Sequence, residues 1–188
     1  MRLILASASP RRLDLLARIG VVPDAVIATD IDETPLKAER PEPYVARIAA
    51  AKAAAVEAPG ALVLAADTSV AVGRRILAKP EDEADARRML TLLSGRRHKV
   101  FTAVTLAGAD GKARHRLCTT VVAFKRFSDA ELDAYLASGE WAGKAGAYGI
   151  QGRAEAYVRF LSGSHSNVVG LPLYETRALL ESAGYPLG

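Results

Sequence analysis

The spacing of apolar positions changes period several times along this chain, and each change marks an element. Leu3-Ile4-Leu5-Ala6 is a short continuous apolar run, the pattern of a buried strand. It breaks at Ser7-Ala8-Ser9. Ser9 suits a helix cap, and Pro10 suits the first helical position, where a missing N–H costs nothing. Leu13, Leu16 and Ile19 then form a helical stripe that Gly20 ends. Val21 to Thr29 reads as a second strand, entered through Pro23-Asp24. Pro41 to Val56 predicts a long Ala-rich helix with Val45, Ile48, Ala49 and Val56 on its apolar stripe. Ala61 to Ala66 is continuous and apolar after Pro59-Gly60, which predicts a central strand covered on both faces. That run ends at Asp67-Thr68. Ser69 to Val72 continues as strand, Gly73 turns, and Ile76 to Ala78 returns to Lys79-Pro80.

Asp82 to Ser94 predicts a helix with an acidic first turn, and Gly95 follows it. Val100 to Ala107 and Arg114 to Phe127 read as strands of a hairpin joined through Ala109-Asp110-Gly111. Arg114, His115 and Arg116 fit an edge strand, where charge blocks association. Ser128-Asp129-Ala130-Glu131 is a capping box for a helix to Ala137. Gly139 to Gly152 breaks regular structure with five glycines, interleaved with Lys144, Tyr148 and Gln151. Such a loop lets backbone approach a ligand, but its spacing matches no dinucleotide or P-loop cradle. A strand from Ala154 to Leu161, a polar turn at Ser162 to Asn167 and a last helix to Ala183 complete the chain. The early alternation of strands and helices and the central hairpin predict a three-layer α/β core with a mixed sheet. The hairpin and the Gly-rich region would form a second lobe over a cleft.

Composition narrows the class. The 188 residues suit one domain, and 50% hydrophobic content is ample for its core. A formal charge of +4 favours anionic ligands. Only 6% of residues are aromatic, which leaves no stacking platform for nucleic acid. The single cysteine, Cys118, excludes an internal disulfide and fits a reducing compartment. No apolar stretch is long enough to span a bilayer, and the first residues do not resemble a signal peptide. A cytoplasmic protein is expected.

Candidate chemistry gathers at strand ends. Arg11 and Arg12 lie at the positive end of a helix, where a cation is unfavourable by about 0.3–1 kcal/mol. Either they are a solvated pair matched by carboxylates, or Ser7, Ser9, the arginines and the helix terminus form a phosphate cradle. Asp30, Asp32 and Glu33 follow a strand, so one is a candidate for metal or catalytic work, a solvated acidic cluster being the alternative. Lys52 falls on the apolar stripe of its helix, where it either snorkels to water or enters a polar cleft. Arg47, on the opposite side, reads as an ordinary surface charge. Asp67 at the end of a buried strand is a poor choice for packing and a good one for chemistry, a turn cap being the alternative. His98, His115 and His165 lack metal-ligand spacing and read as surface or turn residues. Carboxylates and cations without a nucleophile signature suit metal-assisted hydrolysis of a phosphate ester, and Mg²⁺ takes one or two carboxylates plus substrate phosphates.

With these motifs the chain resembles the Maf nucleoside triphosphate pyrophosphatases along essentially its whole length, as a single domain over 1–188. The marks are Ser7 to Arg12, Asp32-Glu33-Thr34, Ala65 to Thr68, Lys79-Pro80, Lys144 to Gly152 and Val169 to Leu173. The resemblance implies a fold similar to the inosine triphosphate pyrophosphatases: an elongated mixed sheet, helices on both faces, two lobes and a cleft. It implies cleavage of a nucleoside triphosphate to the monophosphate and pyrophosphate, in sanitation of the nucleotide pool. It implies Asp67 as proton acceptor, Glu33, Lys52 and Lys79 as further site positions, and Arg12 on phosphate. Ser7 and Ser9 join them as substrate-binding residues, and Glu33 and Asp67 as ligands of Mg²⁺ or Mn²⁺. Arg11, Thr68 and Gln151 match the subgroup acting on dTTP and UTP, rather than the one preferring 7-methyl-GTP. A homodimer is an expected state, and neither a nucleic acid nor a membrane is an expected partner. The alternatives from other classes are a nucleic-acid-binding module and a non-catalytic regulator of cell division.

Overall fold

The computed structural model describes residues 1–108 and 110–187. Among them, seven strands form one mixed sheet in the order β2-β1-β3-β5-β6-β7, with β4 beside β3. The strands are β1 Leu3–Ala6, β2 Ala25–Ile27, β3 Leu62–Val72, β4 Arg75–Leu77, β5 Arg97–Ala107, β6 Ala113–Phe124 and β7 Val158–Ser162. The helices are α1 Pro10–Arg18, α2 Pro41–Ala54, α3 Glu83–Leu93, α4 Asp129–Ala137, α5 His165–Val169 and α6 Leu173–Ser182. Of the predicted hairpin turn, Ala109 lies outside the described residues.

The layers follow from the two faces of β3. Leu62, Leu64, Ala66 and Val70 point into the larger core with Leu15, Leu16, Leu90, Leu136 and Leu180. Val63, Ala65 and Ala71 point the other way, into two smaller clusters with Val45, Ile48, Ala49 and Ala53 of α2. A strand buried on both faces reads as an unbroken apolar run, which is why Leu62 to Ala66 shows no alternation. The predicted three-layer α/β class with a mixed sheet and helices on both faces is the observed one.

The cleft arises from how β3 is paired. On one side it runs antiparallel to β5 from Val63 to Ala71. On the other, parallel β1 ends opposite Ala65, and antiparallel β4 begins opposite Val70. Among the described residues, the backbone of 66–69 therefore has no strand beside it on that side. Asp67 is thus mid-strand, not at a strand end as the apolar run suggests. The strand that ends there is its neighbour β1.

Other expectations are corrected locally. In α1 the buried stripe is Arg12, Leu15 and Leu16, while Leu13 is 38% exposed. β2 is three residues, not nine; Asp24 is taken up instead as acceptor for the Leu3 N–H at 2.7 Å. β5 starts at Arg97, so His98 is buried rather than at the surface, and its Nε2 is 2.8 Å from the Tyr148 hydroxyl. β6 ends at Phe124 rather than Phe127. A 3₁₀ turn over Arg153–Tyr157 replaces the start of the strand placed at Ala154. The polar turn at Ser162 to Asn167 runs into the helix α5, with Ser164 accepting from the Asn167 N–H at 3.2 Å. The capping box at Ser128 is present.

Gly146 joins the Gly-rich loop to the sheet. Its φ is +69°, and a methyl there would stand 2.8 Å from Val70 Cγ1. Gly146→Ala combines backbone strain with overpacking and is expected to cost about 1–3 kcal/mol. Urea denaturation measures this, and a loss below about 0.5 kcal/mol, the level of an ordinary surface change, would contradict it.

Candidate active site

Ser7, Ser9, Arg11, Arg12, Glu33, Lys52, Asp67, Thr68, Lys79 and Gln151 all line one cleft of about 390 Å³. Its walls are the turn from β1 into α1, the open edge of β3, Lys79 beyond β4, the Gly-rich loop and the end of α5 with Gly170. With Lys144, five cations face two carboxylates in it. That excess is the electrostatic signature of a polyanion site.

Lys52 sits at the centre. Its Nζ is 2.8 Å from Glu33 Oε1 and 2.8 Å from Asp67 Oδ1. The side chain is 9% exposed, so it does not snorkel. Its place in the last turn of α2 sets a cation against the negative end of that helix. The same helix holds the Glu33 loop: the Tyr44 hydroxyl donates to the Glu33 carbonyl at 2.9 Å. Arg47 donates to the Thr34 carbonyl at 3.1 Å and to both Glu39 oxygens at 2.9 and 2.7 Å. Arg47 is therefore a loop anchor rather than an ordinary surface charge.

Burial pushes the Asp67 carboxyl above the usual range, although Lys52 and Arg12 pull against it. Burial acts the same way on Glu33, but the hydrogen bond and charge of Lys52, with Lys79 and Arg12, outweigh it and hold Glu33 low. One carboxylate is thus the stronger base and the other a fixed charge. Lys79 is 3.8 Å from Glu33 Oε2 and 63% exposed, free to swing toward a ligand.

Arg12 is buried, which lowers its pKa against the support of Asp67. Its Nε donates to the Gly170 carbonyl at 2.9 Å and its Nη1 to Ser7 Oγ at 2.9 Å. Among the described residues Nη2 has no protein acceptor, so that edge of the guanidinium is left for a ligand. Ser7 Oγ also accepts from the Ser9 N–H at 3.1 Å, so its own hydrogen remains to donate. The Ser9 hydroxyl makes no cap bond, contrary to the capping role expected of it. The N-terminus of α1 therefore faces the cleft uncapped by any side chain.

The support beneath comes from groups to which residue order assigns no supporting role. Gly170 carries the carbonyl that aims Arg12. Thr68 Oγ1 is 2.9 Å from Thr102 Oγ1, which donates to the Asn167 carbonyl at 3.0 Å. Asn167 is fully buried and donates to the Val100 carbonyl and to Thr120 Oγ1. The one available signal was Ser164 three residues before Asn167, a helix-cap spacing. Thr68 makes no hydrogen bond to Gln151 among the described residues.

Glu33 and Asp67 are the carboxylates of the cleft that could hold a metal ion. Glu33 and Asp67 already converge on one cation, the Lys52 ammonium. No group of three or more His, Cys, Asp or Glu side chains is present among the described residues. Two carboxylates completed by substrate phosphates suit a hard, exchangeable ion such as Mg²⁺.

Fold and site together define an α/β protein that receives a polyanion in a cation-rich cleft beside a buried carboxylate. The model of the family described as Maf-like protein matches residues 2–183, and the chain belongs to that family. A protein of Sphingopyxis alaskensis named dTTP/UTP pyrophosphatase is 68% identical, over 99% of this chain and 98% of its own. Proteins of the same name in Novosphingobium aromaticivorans and Caulobacter vibrioides are 62% and 60% identical, each over 97% of this chain and over 92% and 96% of their own. Among solved structures, the Staphylococcus aureus Ham1 protein is 20% identical with a TM-score of 0.48, over 66% of this chain and 72% of its own.

Asp67 and Lys52 should respond differently to removal. A raised carboxyl pKa means that the unfolded chain releases its proton first. Asp67 therefore lowers stability as pH rises from about 4 through its folded value, and the deficit is complete above that. Asp67→Asn removes it and leaves Lys52 paired with Glu33, so Tm at pH 7 should equal or exceed the parent's, with the gain vanishing below about pH 4. Lys52→Met leaves two carboxylates without their shared cation and should cost about 3 kcal/mol. Thermal denaturation from pH 4 to 8 checks both, and a Tm loss in Asp67→Asn with none in Lys52→Met would reverse the assignment.

Proposed function

We propose that this chain hydrolyses dTTP and UTP to the monophosphate and pyrophosphate. The observation that carries this is the meeting of Arg11, Thr68 and Gln151 in the cleft that holds Asp67. Those three positions match the subgroup acting on dTTP and UTP, and relatives 60–68% identical bear that activity in their names.

Arg12, Ser7 and the start of α1 bind phosphate oxygens, and Lys79 swings onto the outer ones. Ser9 supports this turn through its N–H to Ser7. Asp67 accepts a proton from the attacking water. Lys52 keeps the carboxylate oriented, with one oxygen held and the other left toward the water. Glu33 and Asp67 would hold Mg²⁺ or Mn²⁺, which when bound would screen the triphosphate and stabilise the pyrophosphate leaving group. Gln151 presents a donor and an acceptor to the N3–H and O4 edge of uracil or thymine. Arg11 offers a cation, which disfavours the cationic 7-methylguanine. A role in clearing unwanted pyrimidine nucleotides, in the cytoplasm and as a homodimer, completes the reading.

A substrate panel with and without metal tests it. The kcat/KM for dTTP and UTP should exceed that for 7-methyl-GTP by at least about tenfold, a modest part of what a hydrogen-bonding site can discriminate. Turnover should vanish after EDTA and return with Mg²⁺ or Mn²⁺. Gln151→Glu should erode the preference, because a carboxylate has no N–H for O4. Equal use of all triphosphates would remove the pyrimidine assignment, and activity indifferent to EDTA would remove the metal.

A further inference from the structure

Lys144 lines the same cleft and has no part in the mechanism above. It is half-buried on the Gly-rich loop, and its Nζ donates to the Glu140 carbonyl at 2.6 Å. The Glu140 carboxylate in turn accepts from the Arg153 N–H at 2.8 Å. The lysine is therefore fixed on a loop that is itself stapled across its two ends. Its charge faces an unfavourable setting: burial and the nearby Arg11 both work against the ammonium, with only Glu140 in support. Among the described residues it has no carboxylate within ion-pair distance. A half-buried cation set beside another cation, with a carbonyl as its one protein partner among the described residues, has donors to spare for a ligand.

The surroundings say which part of the ligand. A methyl group at Gly149 would stand 2.9 Å from Lys144 Cε and 3.0 Å from Gln151 Nε2. Lys144 and Gln151 thus share the space over one glycine, and Gln151 is the residue that faces the base in the reading above. The phosphate-binding residues, by contrast, come from the turn after β1, from α1 and from the segment after β4.

Gln151 alone leaves an ambiguity. Its amide offers a donor and an acceptor, and a half-turn exchanges them. In one orientation it suits the keto edge of uracil, and in the other the amino edge of cytosine. An ammonium has donors only. Beside a keto oxygen it finds an acceptor, and beside an amino group it meets another donor. We propose that Lys144 is a base-reading residue, the donor-only group that makes the Gln151 edge select a keto oxygen over an amino group. This rests on the assignment of the cleft to pyrimidine triphosphates.

The test compares UTP with CTP in the full chain and in Lys144→Gln and Lys144→Met. The ratio of kcat/KM values is independent of how much enzyme is active. It should fall at least about fivefold in either variant, a discounted share of what a charged donor contributes in a half-open site. Lys144→Arg, which keeps donors only, should retain most of the ratio. If both substrates slow equally, Lys144 holds phosphate or merely the loop, and the proposal is overturned. If the parent protein turns over neither dTTP nor UTP, the pyrimidine reading itself fails and this one falls with it. Two variants of different polarity guard against one that does not fold.

Discussion

One ammonium between two carboxylates sets the terms for this site. Lys52 stands 2.8 Å from both Glu33 and Asp67, almost out of solvent. An isolated charge there would be expensive, and a pair would barely repay its desolvation. Three charges sharing one point give Lys52 two partners, so either carboxylate can change its protonation or its ligand while the lysine stays compensated. The asymmetry between them is useful. Glu33 is held ionised by three cations, while Asp67, deeper in the protein, is shifted toward a stronger base. A phosphate-transfer site needs that division between a fixed charge and a group that takes up a proton.

The rest of the fold delivers these groups. α2 lies over the sheet face that carries Asp67, so Lys52 reaches it from above while Tyr44 and Arg47 hold the Glu33 loop. β3 exchanges its parallel partner for an antiparallel one around Asp67 and leaves an open edge between them. The turn after β1 and the Gly-rich loop enter at that gap. The first brings Arg12, aimed by the Gly170 carbonyl, and the second brings Gln151 and Lys144.

Much of this was legible from residue order alone, and the failures have a common cause. The apolar run to Ala66, the stripe of α2 and the capping box of α4 each express a local rule, and each was readable. Lys52 on an apolar stripe was visible as an anomaly, though its resolution required the partner strand. Asp67 looked like a strand end because the side-chain pattern changes there, whereas the backbone continues and only the neighbour stops. His98 and Asn167 were misplaced because polarity suggests exposure, while both are buried with partners from distant segments. The Gly170 carbonyl that orients Arg12 could not be read at all, since a backbone acceptor leaves no trace in side-chain chemistry.

In the proposed reaction Asp67 takes the proton and Lys52 holds it in place, whereas a bracing cluster would serve the fold alone. The direct measurement is kcat for dTTP in Asp67→Asn, on protein shown to be folded by its thermal transition. A fall by a factor on the order of 10²–10⁴ is expected, the usual worth of a positioned base. A folded Asp67→Asn enzyme that keeps more than about half of its activity would contradict it, because a general base cannot be removed at so small a cost.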